Sequence, residues 1–272
     1  MPKAPIDGIE IHYESEGDGT PVMLIAGYGG AGSYWNAQKA PFAKNFRPIL
    51  MDHRGHGRST HDTSITYSMD QMADDVVHLM DYLKIEKAHY VGHSLGGIIG
   101  QNLGLRHPDR FYDLVIYAST THFDPWIRRC IEMRRTLLET AGPRAFARAT
   151  PIFLYPDWWV NANAEALARL EEATVEQFPP QYVVESRSQA IANYSAVDDL
   201  HKLKLPTLLL CAKDDFLTPP YFTENLAKLI PHAELAWLED GGHACSQTRS
   251  DEFNAIVLDF LLRHDLALRS YC

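Results

Sequence analysis

The sequence predicts an α/β architecture, a parallel sheet covered by helices on both faces and carrying a helical insertion, on three observations. Short apolar runs alternate with amphipathic helical patterns along the 272 residues. One connection, the 88 residues between Ala118 and Thr207, is far longer than the dozen or so that a crossover requires. Gly92-His93-Ser94-Leu95-Gly96 falls where an apolar run meets a helical pattern, a strand–turn–helix setting that presents a serine as nucleophile.

The elements follow in chain order. Ile9-Glu10-Ile11-His12-Tyr13, with Gly17-Asp18-Gly19 after it, reads as an antiparallel strand and turn at the sheet edge. Strands are expected over 22–25, 48–51, 88–91, 114–118, 207–211 and 234–238, and helices over 33–42, 69–83, 94–106, 223–229 and 251–267. Met72, Val76, Leu79, Met80 and Leu83 lie three or four apart and give their helix one buried face. Strands that alternate with helices imply a parallel sheet, covered on both sides. The long connection holds helical patterns over 126–140, 143–150, 162–178 and 181–194, punctuated by Pro151, Pro156, Pro179 and Pro180. It reads as a helical cap, residues 121–200, inserted into a core made of 1–120 and 201–272. Its aromatic residues Phe123, Trp126, Phe153, Tyr155, Trp158, Trp159 and Phe178 either line a substrate pocket or fasten cap to core.

Bulk properties narrow the function. Hydrophobic content of 46% supports a substantial core, and a net charge of −10 without any Lys/Arg run argues against nucleic acid and anionic membranes as partners. The start, Met1-Pro2-Lys3-Ala4-Pro5, lacks the apolar centre of a signal peptide, and no apolar run approaches about 18 residues. Cys130, Cys211, Cys245 and Cys272 show neither disulfide nor metal spacing. A reduced, cytoplasmic protein is expected.

Glycines flank Ser94 because side chains there would clash with a strained turn. A serine hydroxyl needs a neighbouring base. Glu239-Asp240-Gly241-Gly242-His243-Ala244 follows the last strand and puts His243 on a loop beyond a strand's carboxyl end, where open α/β sheets place ligands. For the acid that orients it, Asp214 and Asp215 both follow the 207–211 strand, with the Asp-x-x-x-Pro spacing to Pro219 favouring Asp215; Asp124 is a remote third candidate. An oxyanion needs N–H donors, and the amides of Leu95 and of Tyr28, in Ala26-Gly27-Tyr28-Gly29-Gly30, are the candidates. Those glycines lack the spacing of a phosphate cradle. Gly27 and His93 join Trp126, Phe153, Trp158 and Trp159 as pocket candidates. In and just after Asp52-His53-Arg54-Gly55-His56-Gly57-Arg58-Ser59, residues His53, His56, His61 and Asp62 are metal ligands by type, yet a loop tied by Asp52 and Arg54 is the stronger reading. Cys245 is a small packed side chain lying close to the histidine. Arg128, Arg129, Arg134 and Arg135 are either a wet helix face or include one grip for a substrate carboxylate.

Together these motifs resemble the α/β-hydrolase superfamily over nearly the full length. The resemblance implies the α/β-hydrolase fold: a mostly parallel eight-stranded sheet, helices on both faces, a cap after strand six, and a Ser94–Asp215–His243 triad. Gly32-Ser33-Tyr34-Trp35, Arg128-Arg129-Cys130, Pro151-Ile152-Phe153-Leu154-Tyr155-Pro156, Cys211-Ala212-Lys213-Asp214-Asp215 and Gly241-Gly242-His243-Ala244-Cys245 look like the RutD-type branch, associated with uracil breakdown as aminoacrylate or carbamate hydrolases. The expectation is a serine hydrolase of a small ester, amide or carbamate-type substrate, with no cofactor or metal. Carbon–carbon bond hydrolysis, lactone opening and cofactor-free perhydrolysis use the same triad. Epoxide and haloalkane hydrolases carry Asp at the elbow, which disfavours them. A ligand receptor with little turnover is the alternative of another class. Dimerisation is open, and no stretch specifies it.

Overall fold

A computed structural model describes residues 2–269; Met1 and Cys272 lie outside the described residues. Eight strands, β1 (Lys3–Ile6), β2 (Ile9–Ser15), β3 (Thr20–Ile25), β4 (Phe46–Met51), β5 (Ala88–His93), β6 (Phe111–Tyr117), β7 (Thr207–Ala212) and β8 (Glu234–Leu238), form one sheet in the order β1-β2-β4-β3-β5-β6-β7-β8. The β1–β2 and β2–β4 pairs are antiparallel and all others parallel. The expected edge strand at 9–13 is instead the second strand. An Asp7-Gly8 turn, with φ of 46° and 80°, folds Lys3–Ile6 back onto it as a two-residue hairpin.

Helices α1 (Asn36–Ala43), α2 (Met69–Tyr82) and α3 (Leu95–Arg106) alternate with the first strands. Four more, α4 (Pro125–Leu154), α5 (Asp157–Ala162), α6 (Ala164–Glu176) and α7 (Gln181–Ala192), fill the long connection between β6 and β7. The chain ends with α8 (Pro220–Leu229), the short α9 (Cys245–Thr248) and α10 (Ser250–Arg269). The segments expected at 126–140 and 143–150 join into α4, broken at Gly142 (φ 80°, ψ −178°). Pro143 directly follows that break, in a first turn that needs no amide donor.

Alternation along the strands feeds two apolar layers. Val22 and Leu24 of β3 pack with Trp35, Phe42, Phe253 and Phe260. Met23 and Ile25 pack with Met72, Val76, Leu95 and Ile99. Full burial of a side chain of this size is worth about 1.5–3 kcal/mol, so the two layers hold the sheet rigid from both sides. Every residue of β5 is buried, and the strand delivers its last residue, His93, to the sheet's carboxyl edge. Among the described residues no helix is long and apolar enough to cross a membrane.

Candidate active site

Ser94 occupies the turn between β5 and α3 with φ 53° and ψ −111°, a conformation that costs a non-glycine residue about 1–3 kcal/mol. The surroundings hold it there. Its N–H donates to Tyr117 O (2.9 Å), and its carbonyl accepts from Ser119 Oγ (2.8 Å). The flanking glycines leave no space for a side chain: a Cβ at Gly92 would stand 2.3 Å from Gly96 O, and one at Gly96 2.2 Å from Ile25 O. The turn is therefore a tight meeting of three backbones. Leu95 opens α3, where the first amides have no partner within the helix and the helix dipole favours negative charge. Gly27 abuts the serine from the β3 side, a Cβ there falling 3.1 Å from Ser94 Cβ, which sets the backbone of Gly27-Tyr28 beside the same hydroxyl.

Asp215, beyond β7, is buried and fully engaged as an acceptor. Oδ1 accepts from the N–H groups of Leu217 and Thr218 (both 2.8 Å), and Oδ2 accepts from Thr218 Oγ1 (2.8 Å) and His243 Nδ1 (2.9 Å). That last contact fixes the imidazole with Nδ1 protonated, leaving Nε2 as the basic nitrogen. Asp214 acts differently. Its carboxylate accepts from the amides of Gly241 (3.1 Å) and Gly242 (2.8 Å) and so holds the histidine loop, instead of sitting solvated. Those glycines have φ of 127° and 69°, which a larger residue would resist. Asp124 is not near the imidazole; it caps α4 through Trp126 and Ile127 amides and accepts from Tyr221 Oη (2.7 Å).

The carbonyl of His243 accepts from His93 Nε2 (3.0 Å) and Tyr117 Oη (2.8 Å). His93 is buried, stacked on Tyr34 at 4.4 Å between centroids, and burial drives its pKa well below 6.5. It is a neutral strut for the histidine loop. Ser94 Oγ makes no hydrogen bond among the described residues, whereas its backbone N–H and carbonyl are both engaged.

Over Ser94 lies a cavity with about 40 Å³ of free volume, enough for on the order of three waters. Its floor is Tyr28, Ser94, Leu95, Ile98, Ser119 and Thr120; its roof is Phe123 with Ile127, Ile131 and Arg134 of α4, and Ser188 and Ile191 of α7. Leu217 and Thr218 close the side next to the acid. Most expected pocket residues sit elsewhere. Trp126 and Trp158 are surface residues, the indole of Trp126 bonded to Phe216 O and that of Trp158 under Arg249. Phe153 packs with Ile127 and Leu217 in a satellite core, and Trp159 stacks on Tyr155. Gly27 and His93 lie behind the serine. The aromatic residues of the insertion mainly fasten it, Phe123 excepted. Thr218 and Ser119 carry no sequence signal beyond their nearness to Asp215 and to the end of β6, and Ser188, in the middle of α7, carries none.

The Asp52–Ser59 loop is structural, though not through an Asp52–Arg54 tie. Asp52 accepts from Gly32 N and Arg58, while Arg54 makes a buried bidentate pair with Asp75 of α2. His53 Nε2 donates to Ala26 O (2.9 Å), His61 Nε2 donates to Gly57 O (3.1 Å), and Asp62 caps Ser64, so these groups are bound up in the loop. Among the described residues no cluster of three His, Cys, Asp or Glu could hold a metal. Cys245 is buried against Tyr117 and Phe253, and burial raises its thiol pKa. Arg128, Arg129 and Arg135 are exposed; Arg134 alone of the four turns inward.

The same fold recurs in known proteins. A sequence profile for the alpha/beta hydrolase fold matches residues 20–142. RutD of Caulobacter sp. strain K31, provisionally named a carbamate hydrolase, is 38% identical over 96% of this chain and 98% of its own. RutD of Azorhizobium caulinodans, with the same name, is also 38% identical, over 96% and 98%. The enol-lactonase of Burkholderia xenovorans LB400 superposes with a TM-score of 0.86 at 28% identity, covering 96% of this chain and all of that one (100%).

Proposed function

Since the chain belongs to the α/β-hydrolase family, we propose that it is a serine hydrolase cleaving a small ester, amide or carbamate-type substrate through an acyl-enzyme. The observation that carries this reading is the buried Asp215–His243 pair, whose two partners both contact Thr218, a residue that lines the same cavity as Ser94. Ser94 Oγ attacks the substrate carbonyl as His243 Nε2 takes its proton, while Asp215 holds Nδ1–H and stabilises the imidazolium. The amides of Leu95 and Tyr28 receive the developing oxyanion. The leaving group departs with the proton from His243, the acyl group remaining on Oγ. Water, deprotonated by the same imidazole, then releases the acid and restores Ser94. The insertion acts as a cap (residues 121–200 over a core of 1–120 and 201–272) that shields these steps from solvent. Relatives named for carbamate hydrolysis favour a C–N bond; the structural likeness to an enol-lactonase favours a lactone as the second reading, an ester closed on itself.

Labelling with a fluorophosphonate, wild type beside Ser94→Ala, read by intact mass, tests the reading. One adduct on wild type alone is expected. A well-folded wild type that takes no adduct, or equal labelling of both, would overturn it. Turnover of a short carbamate against a lactone of equal size then separates the two substrate classes.

A further inference from the structure

Resting on that hydrolase reading for the chemistry, we propose that Arg134 anchors a carboxylate on the substrate, making the enzyme selective for short anionic acyl compounds over neutral ones. Arg134 is 6% exposed, lines the cavity with Ser94, and makes no ion pair among the described residues. Nη2 donates to Thr150 Oγ1 at 3.2 Å, and Nε, although buried, has no partner. Three rings surround the group, with centroids at 4.7 Å (Phe146), 5.5 Å (Phe153) and 5.7 Å (Tyr28). Such a cage orients a guanidinium without neutralising it. The unpartnered Nε and the weakly held Nη2 form the edge that takes a carboxylate through two parallel hydrogen bonds.

Among the described residues no carboxylate pairs with Arg134. Arg187 of α7, 2% exposed, stands 5.8 Å from the same Tyr28 ring; its Nη1 meets His56 Nδ1 at 3.4 Å, and its Nε and Nη2 are unpartnered. Glu185 lines a smaller space behind Arg134, about 10 Å³, but its Oε1 accepts from Gln181 at 2.6 Å and it forms no ion pair there. Burial holds both arginine pKa values below the usual range, as expected for cations that folding leaves uncompensated. An uncompensated buried cation is destabilising, and an anionic ligand removes that cost. The cavity is small, so the carboxylate must stand only a few bonds from the scissile carbonyl.

The test compares monomethyl succinate with methyl butyrate, neutral and of similar size, by pH-stat. Wild type should favour the anionic ester in kcat/KM by on the order of 10- to 100-fold, the range of a buried charge-assisted contact. Arg134→Gln and Arg134→Met should collapse that ratio, and Arg134→Lys should retain part of it. A wild-type ratio near one, or a ratio unchanged in R134Q, would overturn the proposal. Binding of succinate to Ser94→Ala by calorimetry reads the anchor without catalysis and should weaken at least about 10-fold in the Ser94→Ala, Arg134→Gln double variant; equal binding by both overturns the anchor. Should neither ester turn over and Ser94 not label, the hydrolase reading fails while the succinate measurement still decides the arginine. With no ligand present R134M should melt higher than wild type, since an uncompensated charge is gone; a lower Tm with an unchanged ratio marks a merely structural residue.

Discussion

The floor and the roof of the cavity are built on opposite terms. On the floor, at the ends of β5, β7 and β8, the groups around the proposed triad are mostly partnered: four donors on Asp215, two on the His243 carbonyl and two amides on Asp214, with His93 Nδ1 left over. On the roof, α4 buries the Arg134 guanidinium with an unpartnered nitrogen, and α7 buries a second, Arg187, outside the cavity lining. A largely saturated network on a rigid sheet is preorganised and has little left to offer a ligand; buried cations with unpartnered nitrogens on inserted helices are where a ligand gains by binding. Chemistry and selectivity are thereby separated in space, and substitutions should separate them too.

The largest effects belong to the floor. Ser94→Ala should lower kcat by on the order of 10⁴-fold or more, and Asp215→Asn, which disturbs the imidazole tautomer, by about 10³- to 10⁴-fold. Asp214→Asn provides the contrast. It touches the loop and not the imidazole, so kcat should fall no more than about 10-fold, with a lower Tm. Steady-state kinetics on one ester with thermal melts checks all three. If Asp214→Asn matched Asp215→Asn, the division of labour between the adjacent acids would be wrong.

The same contrast explains what could be read from residues alone. The elbow, the acid and the histidine are local matters: a glycine-bounded turn, a strand running into Asp-Asp-x-x-x-Pro, a Gly-Gly-His loop. Each is specified by a few adjacent residues whose backbone demands survive in the sequence. The roof is a tertiary matter. Ile127, Ile131 and Arg134 lie four and three apart on α4 and share the face over Ser94, while Trp126, one residue earlier, points to solvent. Size and aromaticity suggested the tryptophans, but the direction of the helix face decided, and only packing sets that face. The Asp7-Gly8 hairpin carries a local turn signal of its own, between two short alternating runs. The one long helix across Gly142 carries none, because in sequence the break looks like an end.

A smaller effect should appear on the roof. Ile131→Phe adds bulk to a cavity with about 40 Å³ free, so KM for a butyrate ester should rise roughly 10-fold, while an acetate ester is affected less. Fluorophosphonate labelling should persist. Equal losses for both acyl lengths would mean that the helix had shifted onto the floor, and the separation of the two halves would fail.

The smallest expected effect concerns stability and tests whether the floor's frame is as fully engaged as its hydrogen bonds suggest. His53 is buried, bonded to Ala26 O at the start of the Gly27–Gly30 loop, and burial beside the Arg187 cation lowers its pKa to about 4. His56 and His93 are lowered in the same direction, chiefly by burial. The unfolded chain, with histidines near 6.5, binds protons that the folded one refuses, so stability is intact above about pH 6.5 and declines as pH falls towards about 4. For His53 alone the loss by pH 5 is about 2 kcal/mol, or roughly 4–8 °C in Tm for a chain of this size. Asp75 and Asp113 act against it, because burial raises their pKa and the folded state gains protons near the acid end of the window. His53→Gln removes one titrating group while keeping a donor for the Ala26 carbonyl, and should flatten the Tm-against-pH curve between 6.5 and 4.5. An unchanged slope would place the acid sensitivity in the other histidines and leave His53 outside the frame that supports the Gly27–Gly30 loop.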